Sequence, residues 1–592
     1  MARVLGISAF YHDSAACLVE NGQVVAALQE ERFSRLKHDS SFPSRAVEAA
    51  LRMGGCAIDE LDGVVFYEKP FMKLERLLDT YVRNCPRGLA SYLKAMPVWF
   101  KEKLWIKELI RRELGFDGPI LFADHHESHA ASAFFPSPFQ SAAVLTLDGV
   151  GEWTTTSLGR GQGTRIELIS EVRFPHSLGL LYTAFTYYLG FRVNSGEYKV
   201  MGLAPYGEPR YEGLIRDHLI HVGDDGSFRL DTRYFSYETG LRMTSRRFHE
   251  LFGGPPRRPG SPLTDKHKDI AASIQKVTED VVLRICRHLR RESGEKFLCM
   301  AGGVALNCVA NGKVLREAGF EDLWIQPAAG DAGGALGAAL AVSHAHLGQE
   351  RRTGGGTTGS RWNALLGTSY DADEIQPVLD GYGAVYERLD ESSLIARTVE
   401  ALDRGAVVGW FQGRMEFGPR ALGSRSILAD ARRPDIKDRI NAGVKYRESF
   451  RPFAPAVLEE SVADYFKLDR PSPYMLLVAD VRDDRNGSIP AVTHVDGSAR
   501  VQTVSADDNA RFYRLLRGFG SRTGCPVLLN TSFNVRGEPI IESPEQAYQC
   551  FMRTGLDLLV IGDFLLEKEK QPSGLEIAGV GGVQTRDRGA RE

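Results

Sequence analysis

Two histidines four residues apart are the first candidates for chemistry in this sequence. His125 and His129 stand in a run that also holds Asp124 and Glu127. Residues four apart share one face of a helix, so both imidazoles can reach the same point. Asp124 is the predicted N-cap of that helix and Glu127 its capping-box partner. An apolar strand then ends at Asp148, and two imidazoles with a carboxylate suit Fe(II), Mn(II) or Zn(II) in a reactive site.

The same spacing also occurs where no metal binds. Histidines four apart are often two ordinary surface or core side chains. The residue after His125 is His126, so the run differs from the metalloprotease signature, in which glutamate follows the first histidine. Asp148 favours the metal, and the surrounding elements decide between the two interpretations.

The elements that must position these residues follow one plan used twice. Residues 4–28 and 143–174 each read as strand, turn, strand, turn, strand. Glycine-rich turns follow at 301–307 and 329–334, and the second contains Asp331 before an alanine-rich helix. Tight packing explains any one glycine turn alone. Their order predicts an α/β protein whose N-terminal part has a duplicated actin-like or Hsp70-like ATPase fold.

Composition narrows the classes of function. The chain has 592 residues, 43% hydrophobic and 25% charged, which indicates a globular protein with more than one domain. A net charge of −3 argues against attraction to nucleic acid or to an anionic membrane. No apolar run reaches the roughly 18 residues of a membrane span, and the N-terminus reads as a strand, not a signal peptide. Eight scattered cysteines without a Cys-x-x-Cys pair indicate reduced thiols, so we expect a cytoplasmic protein.

Four segments are predicted along the chain. Residues 1–352 form the actin-like domain, and a glycine- and threonine-rich linker covers 353–364. A second α/β domain covers 365–570. Residues 571–592 are predicted to be a disordered tail, since they are rich in glycine and charge.

The second domain contains a basic stretch. Ten Lys or Arg against five Asp or Glu fall in residues 414–451. A solvated, salt-bridged face is the ordinary explanation of such a run. Here the arginines alternate with Gly, Pro and Phe, which fix the backbone and exclude water, and arginine forks held that way suit phosphate oxygens. Aromatic residues are too sparse for a single-stranded nucleic-acid platform, so the pattern favours a polyphosphate such as ATP.

Four long runs carry a resemblance to a known family. They are GEYKVMGLAPYG at 196–207, HHESH at 125–129, AGGVALN at 301–307 and GRMEFGPRALGSRS at 413–426. In these runs the chain resembles the O-carbamoyltransferases, which include nodulation-factor, tobramycin and cephalosporin carbamoyltransferases. The similarity extends from Gly6 to about Phe564.

The resemblance implies a two-step enzyme. Its N-terminal part is similar to the tRNA threonylcarbamoyl-transfer proteins, and its C-terminal part resembles threonylcarbamoyl-adenylate synthases. The C-terminal domain would make carbamoyl adenylate and pyrophosphate from carbamoyl phosphate and ATP, the latter with Mg(II). The N-terminal domain would then move the carbamoyl group to a hydroxyl of a small-molecule acceptor, as in antibiotic or glycan tailoring.

The resemblance also implies roles for individual residues. Iron(II), or else Mn(II) or Zn(II), would be held by His125, His129, Asp148 and Asp331. Carbamoyl adenylate would lie against Lys37, Gly179, Gly303 and Asn307, together with Asp148 and Asp331. ATP and carbamoyl phosphate would be bound by Arg420, Lys445, Arg451, Arg500, Asn530 and Ser532. For the transfer step we predict His12 and Lys37 as catalytic, with His12 as general base because an imidazole titrates near neutrality. A structural histidine that holds its loop is the alternative for His12.

Two other functions fit parts of the pattern. A tRNA-modifying threonylcarbamoyl transferase shares the fold, but we would expect a basic surface on it, whereas this chain is net acidic. A non-catalytic nucleotide-binding protein of the actin or Hsp70 kind leaves the histidine pair and the basic stretch unexplained. The expected partner is therefore a small molecule, with no nucleic acid and no membrane, and the expected assembly is a monomer or homodimer.

Overall fold

Three antiparallel strands and two parallel ones form the first sheet. In the computed structural model, which describes residues 2–353 and 362–572, these strands are β1 (Arg3–Ser8), β2 (Ala15–Glu20), β3 (Gln23–Gln29), β4 (Gly63–Phe66) and β5 (Ile120–Phe122). They lie in the order β3-β2-β1-β4-β5, with β4 parallel to β1 and β5 parallel to β4.

The second sheet repeats this plan. Its strands are β6 (Ser141–Leu147), β7 (Thr154–Gln162), β8 (Arg165–Arg173), β11 (Phe297–Ala301) and β12 (Asp322–Ile325), and a separate hairpin of β9 (Ile220–Val222) and β10 (Phe228–Leu230) precedes β11. The order is β8-β7-β6-β11-β12, again with antiparallel strands first and two parallel strands last. The repetition confirms the predicted duplicated actin-like fold.

Two helices fill the space between the sheets. The helices of this part are α1 (Glu31–Ser34), α2 (Ser44–Gly54), α3 (Pro70–Asn84), α4 (Leu89–Lys101), α5 (Ile106–Leu114), α6 (His125–Phe134), α7 (Leu178–Tyr188), α8 (Glu197–Leu203), α9 (Glu212–His218), α10 (Arg246–Leu251), α11 (Asp265–Ser293), α12 (Cys308–Glu317) and α13 (Ala332–Ala341). Helix α13 packs on β1 and β2, α6 packs on β6 and β11, and the two helices pack on each other. A Cβ added to Gly337 of α13 would overlap the carbonyl oxygen of Ser128 in α6, so this crossing requires glycine.

The second part of the chain is built on one mixed sheet of nine strands. The strands are β13 (Glu387–Arg388), β14 (Val408–Phe411), β15 (Arg425–Asp430), β16 (Ala454–Leu458), β17 (Leu477–Asp480), β18 (Ser498–Val504), β19 (Val527–Ser532), β20 (Leu558–Ile561) and β21 (Phe564–Glu567). Their order is β13-β21-β20-β14-β15-β19-β16-β18-β17. The helices are α14 (Ala372–Gly381), α15 (Glu391–Asp403), α16 (Ile436–Ile440), α17 (Val462–Tyr465), α18 (Ala510–Thr523) and α19 (Pro544–Arg553). Apolar side chains are buried on both faces of this sheet.

Arginine side chains join the two parts of the chain through backbone carbonyls. Arg414 donates to the carbonyl of Val25 in β3 at 2.8 Å. In the opposite direction, Arg35 donates to the carbonyl of Ile540 at 2.7 Å. Each bond satisfies a carbonyl that the junction would otherwise remove from water.

Two of the predicted segments fall largely outside the described residues. The linker predicted at 353–364 covers residues 354–361, and the tail predicted at 571–592 covers 573–592, none of which the structure describes. Among the helices of residues 2–353 and 362–572, none is long and apolar enough to span a membrane.

Replacing Gly337 by alanine is expected to destabilise the fold, because the new methyl group has no space at the crossing of α6 and α13. Overpacking of this kind costs about 1 to 3 kcal/mol in the free energy of unfolding, measured by urea denaturation. Gly213→Ala in α9 is the matched control, because an added Cβ there meets nothing within 4 Å. Equal stability of the two variants would show that the crossing has room to relax.

Candidate functional site

Four side chains that could bind a metal meet at the N-termini of α6 and α13. His125 and His129 lie in the first turns of α6, Asp148 follows β6, and Asp331 directly precedes α13. One ligand atom from each lies within 4.8 Å of the other three. The two histidine Nε2 atoms are 3.1 Å apart, and Asp148 Oδ2 is 3.2 Å from Nε2 of His125. The structure therefore brings all four predicted ligands together.

These atoms have the spacing and chemistry that a divalent metal requires. Metal–nitrogen and metal–oxygen bonds near 2.1 Å put neighbouring tetrahedral ligands about 3.4 Å apart. Asp331 Oδ1 lies 3.8 Å from Nε2 of both His125 and His129, so small side-chain movements would bring all four ligand atoms to tetrahedral spacing. Burial is the largest cause that lowers the pKa of His129, to about 3, which leaves a neutral imidazole with a free lone pair. Two nitrogens and two carboxylate oxygens fit Fe(II), Mn(II) or Zn(II).

The start of α6 differs from the predicted capping box. Asp124 is the residue before the helix, but its carboxylate accepts a hydrogen bond from Lys69 Nζ at 2.6 Å and makes no cap. The backbone N–H of His125 donates instead to Glu152, at 3.2 Å from each carboxylate oxygen. The Asp124 half of the box is therefore wrong, because Lys69 competes for this carboxylate. Glu152 ties α6 to the β6–β7 loop that carries Asp148.

His12 stands beside the four-residue cluster. Its Nε2 lies 3.7 Å from Asp331 Oδ2, and its Nδ1 lies 3.0 Å from Asp13. Asp13 is in turn 2.8 Å from Nδ1 of His38. Burial disfavours the charged imidazole, but Asp331 and Asp13 outweigh it and raise the pKa of His12 to about 9. Since Asp331 raises this pKa, the protonation of His12 depends on what else binds Asp331.

Of the residues predicted to hold carbamoyl adenylate, Gly179 and Gly303 lie against Asp148 of the metal cluster, whereas Asn307 is bonded to Gln275. Gly303 donates its N–H to Asp148 Oδ1 at 2.9 Å, and a Cβ at Gly179 would come within 2.6 Å of the Asp148 carbonyl oxygen. Both glycines thus let backbone approach the metal cluster. The side chain of Asn307 exchanges hydrogen bonds of 3.0 and 3.1 Å with Gln275.

Lys37 interacts electrostatically with Tyr198 and with Lys445 of the second domain. Burial raises the pKa of Tyr198, but Arg451, Lys37 and Lys199 together lower it below its usual range. Arg451 also stacks over the Tyr198 ring at 4.7 Å. Helix α8 of the first domain, which carries Tyr198, therefore faces the cations of the second.

Five cations converge in the second domain. We call the group of Arg420, Lys445, Arg447, Arg451 and Arg500 the cation cluster. Burial and then Arg420 lower the pKa of Arg500 to about 9, and burial followed by Arg451 and Arg500 lowers the pKa of Arg447 strongly. The Nε atoms of Arg420 and Arg500 are buried and have no hydrogen-bond partner among the described residues. Buried cations that repel one another and keep free donors form a site for an anion.

The remaining predicted residues border this cluster. Lys445 Nζ donates to the carbonyl of Ser532, to its Oγ at 3.2 Å, and to Asn534 Oδ1 at 2.8 Å. Asn530 donates to Gln502 at 2.7 Å, and its own Oδ1 is buried without a partner in the described part of the chain.

Three residues at these sites were not predicted from the sequence. Arg447 lies in the basic stretch at 414–451, and Asn534 lies two residues after Ser532. Tyr198 lies within the run at 196–207. Arg414 and Arg425 belong to the same basic stretch, but their guanidinium groups donate to backbone carbonyls, including those of Leu366 and Gln412.

Two protein-family models match the parts of the sequence that contain the metal cluster and the cation cluster. Residues 3–340 match the model described as carbamoyltransferase N-terminus, and residues 399–568 match carbamoyltransferase C-terminus. The chain belongs to the carbamoyltransferase family. This carbamoyltransferase is also similar to nodulation protein NolNO of Sinorhizobium fredii, with 41% identity over 94% of this chain and 79% of that protein. An uncharacterised protein of Synechocystis sp. is 55% identical over 97% of this chain and 98% of its own length.

The similarity of this fold to the solved structures that it matches is weak. The (R)-2-hydroxyglutaryl-CoA dehydratase component A of Acidaminococcus fermentans covers 59% of this carbamoyltransferase and all of its own chain, at 16% identity and a TM-score of 0.33. The fold assignment rests on strand order instead.

Replacing His129 by alanine is expected to remove bound metal, because it deletes one of two nitrogen donors. Elemental analysis of the purified full chain measures the stoichiometry. His126→Gln is the control, since His126 hydrogen-bonds Thr146 at 2.6 Å and is not one of the four ligands. Unchanged metal content in His129→Ala would contradict the metal assignment.

Proposed function

We propose that this carbamoyltransferase works in two steps at two sites. The cation cluster activates carbamoyl phosphate with Mg-ATP, and the metal cluster region transfers the carbamoyl group to a hydroxyl of a small-molecule acceptor. We assign activation to residues 365–570 and transfer to residues 1–352. The balanced first step takes carbamoyl phosphate, ATP and water to carbamoyl adenylate, pyrophosphate and phosphate.

The main support for this proposal is that the cation cluster contains buried N–H donors without partners among the described residues. Both co-substrates are anions and repel each other, so their encounter requires converging positive charge. Arg420 and Arg500 keep buried Nε groups unpaired among the described residues, and Lys445 adds its charge beside Ser532. Phosphate oxygens would satisfy these donors and reduce the repulsion among the cations. The carboxylate of Glu448 offsets part of the positive charge of Arg447 and Arg451, but it is also paired with Lys199 at 3.0 Å.

The transfer step uses the groups around the metal cluster. His125, His129, Asp148 and Asp331 would hold the metal, which we expect to be iron(II), with Mn(II) and Zn(II) also compatible. A bound divalent ion supplies positive charge that offsets the phosphate of the leaving AMP. The protein itself contributes backbone that approaches closely, because Gly179 and Gly303 leave no side chain in the way.

His12 is the group placed to receive the proton of the acceptor once a metal bound to Asp331 offsets the carboxylate charge that raises the pKa of His12. Asp13 holds its Nδ1, so that Nε2 faces Asp331 and the cluster. A general base must lie within hydrogen-bond reach of the reacting hydroxyl, and only Nε2 faces that side. His12 is therefore assigned to transfer and not to activation.

Lys445→Ala is expected to reduce ATP-dependent pyrophosphate release by at least about 100-fold, because the remaining cations no longer surround the phosphates. Release is measured with a coupled pyrophosphate assay in the presence of carbamoyl phosphate. Lys467→Ala is the matched control, since Lys467 pairs with Asp483 at the surface. Wild-type release by Lys445→Ala would overturn the assignment of the cation cluster to activation.

His12→Ala is expected to keep pyrophosphate release but to lose about 100- to 10,000-fold in carbamoyl transfer, the usual contribution of a general base. Acceptors are found first by screening hydroxylated compounds with the wild-type chain, and transfer of labelled carbamoyl is then measured. His249→Ala in α10 serves as a control. Transfer at the wild-type rate by His12→Ala would show that His12 only holds its loop.

A further inference from the structure

The residues that follow β4 lie behind the metal cluster. Tyr67 donates its hydroxyl to Asp331 Oδ2 at 3.5 Å, and its backbone carbonyl accepts from Ser128 in α6. The next residue, Glu68, places Oε2 3.7 Å from Nδ1 of His125. Neighbouring residues of one strand end thus reach two different predicted ligands.

The orientation of the His125 ring gives Glu68 a specific position. Nε2 of this ring faces His129 and Asp148, so Nδ1 points to the opposite side. Glu68 lies on that opposite side and is not one of the four converging groups. Nδ1 is buried and has no hydrogen-bond partner in the described part of the chain, which makes Glu68 the acceptor next to it.

A proton on Nδ1 determines whether Nε2 can bind metal. A neutral imidazole carries its hydrogen on one nitrogen and a lone pair on the other. An acceptor at Nδ1 therefore favours the tautomer whose lone pair is on Nε2, and it also fixes the ring plane. Metal-bound histidines in proteins generally donate their second N–H in this way.

A lysine keeps Glu68 in place. Lys73 of α3 donates its Nζ to Glu68 Oε2 at 2.6 Å, and the two residues are only 6% and 5% exposed. A buried ion pair is weak evidence for stability, since apolar residues of the same volume often stabilise as much. Stability alone therefore does not explain this ion pair, and its position beside His125 suggests a role at the metal cluster.

We propose that Glu68 is a positioning residue that accepts the Nδ1 proton of His125 and thereby increases the affinity of the cluster for metal, with Lys73 holding the carboxylate in place. This inference rests on the proposed metal site. It adds to that site two residues that make no contact with the reacting atoms.

The test is a titration of the metal-free full chain with Co(II), followed by its visible absorption. Glu68→Gln is expected to weaken Co(II) binding about 10- to 100-fold, the usual effect of removing such a partner. Glu127→Gln on α6 is the matched control, because it makes the same change of charge on the helix that carries His125. Equal affinity of Glu68→Gln and wild type would overturn the inference.

A second variant separates positioning from simple stability. Glu68→Gln leaves Lys73 buried without its partner, which destabilises the fold. The double variant Glu68→Gln with Lys73→Met removes that unpaired charge, and thermal unfolding verifies that it is folded. Positioning predicts that the double variant still binds Co(II) weakly, and recovery of wild-type affinity would contradict it. Absence of Co(II) binding by the wild type would instead overturn the metal site itself.

Discussion

The close crossing of α6 and α13 is the constraint on which the arrangement of the metal cluster depends. Gly337 meets the backbone of Ser128 without any side chain between them; Ser128 lies in the first turn of α6, and Gly337 lies in the middle of α13. Because the helices meet there, the histidines of one and the aspartate before the other reach a common point. A larger residue at position 337 would push α6 and α13 apart and would therefore move the two histidines away from Asp331.

The metal cluster and the cation cluster differ in charge, and a short segment at residues 35–38 contacts the surroundings of both. The metal cluster combines histidines with aspartates, whereas the cation cluster consists of arginines and a lysine. Arg35 binds the second domain through the Ile540 carbonyl, and His38 contacts Asp13 beside the metal cluster. Between them, Lys37 is one of the cations that, after burial, lower the pKa of Lys445. This arrangement supports the proposal that an intermediate made at one site is used at the other.

Much of the fold followed from the sequence because its pattern is local. The repeated strand units at 4–28 and 143–174 are visible in the order of apolar runs and turns, and the spacing of His125 and His129 places them on one helix face. Contacts between distant segments were not visible. Asp124 has Lys69 as a partner, and Arg425 finds carbonyls inside its own domain, so neither has the role its local pattern predicted. Glu68 precedes His125 by 57 positions and belongs to no motif, so only the fold brings the two together.

Direct detection of carbamoyl adenylate tests whether the cation cluster activates carbamoyl phosphate for a second site in the same chain. The full chain is incubated with carbamoyl phosphate, Mg-ATP and iron(II) without an acceptor, and the quenched mixture is analysed by mass spectrometry. If activation occurs at the cation cluster, carbamoyl adenylate and pyrophosphate both form, and both depend on carbamoyl phosphate. Formation of ADP, or pyrophosphate release that does not require carbamoyl phosphate, would contradict it.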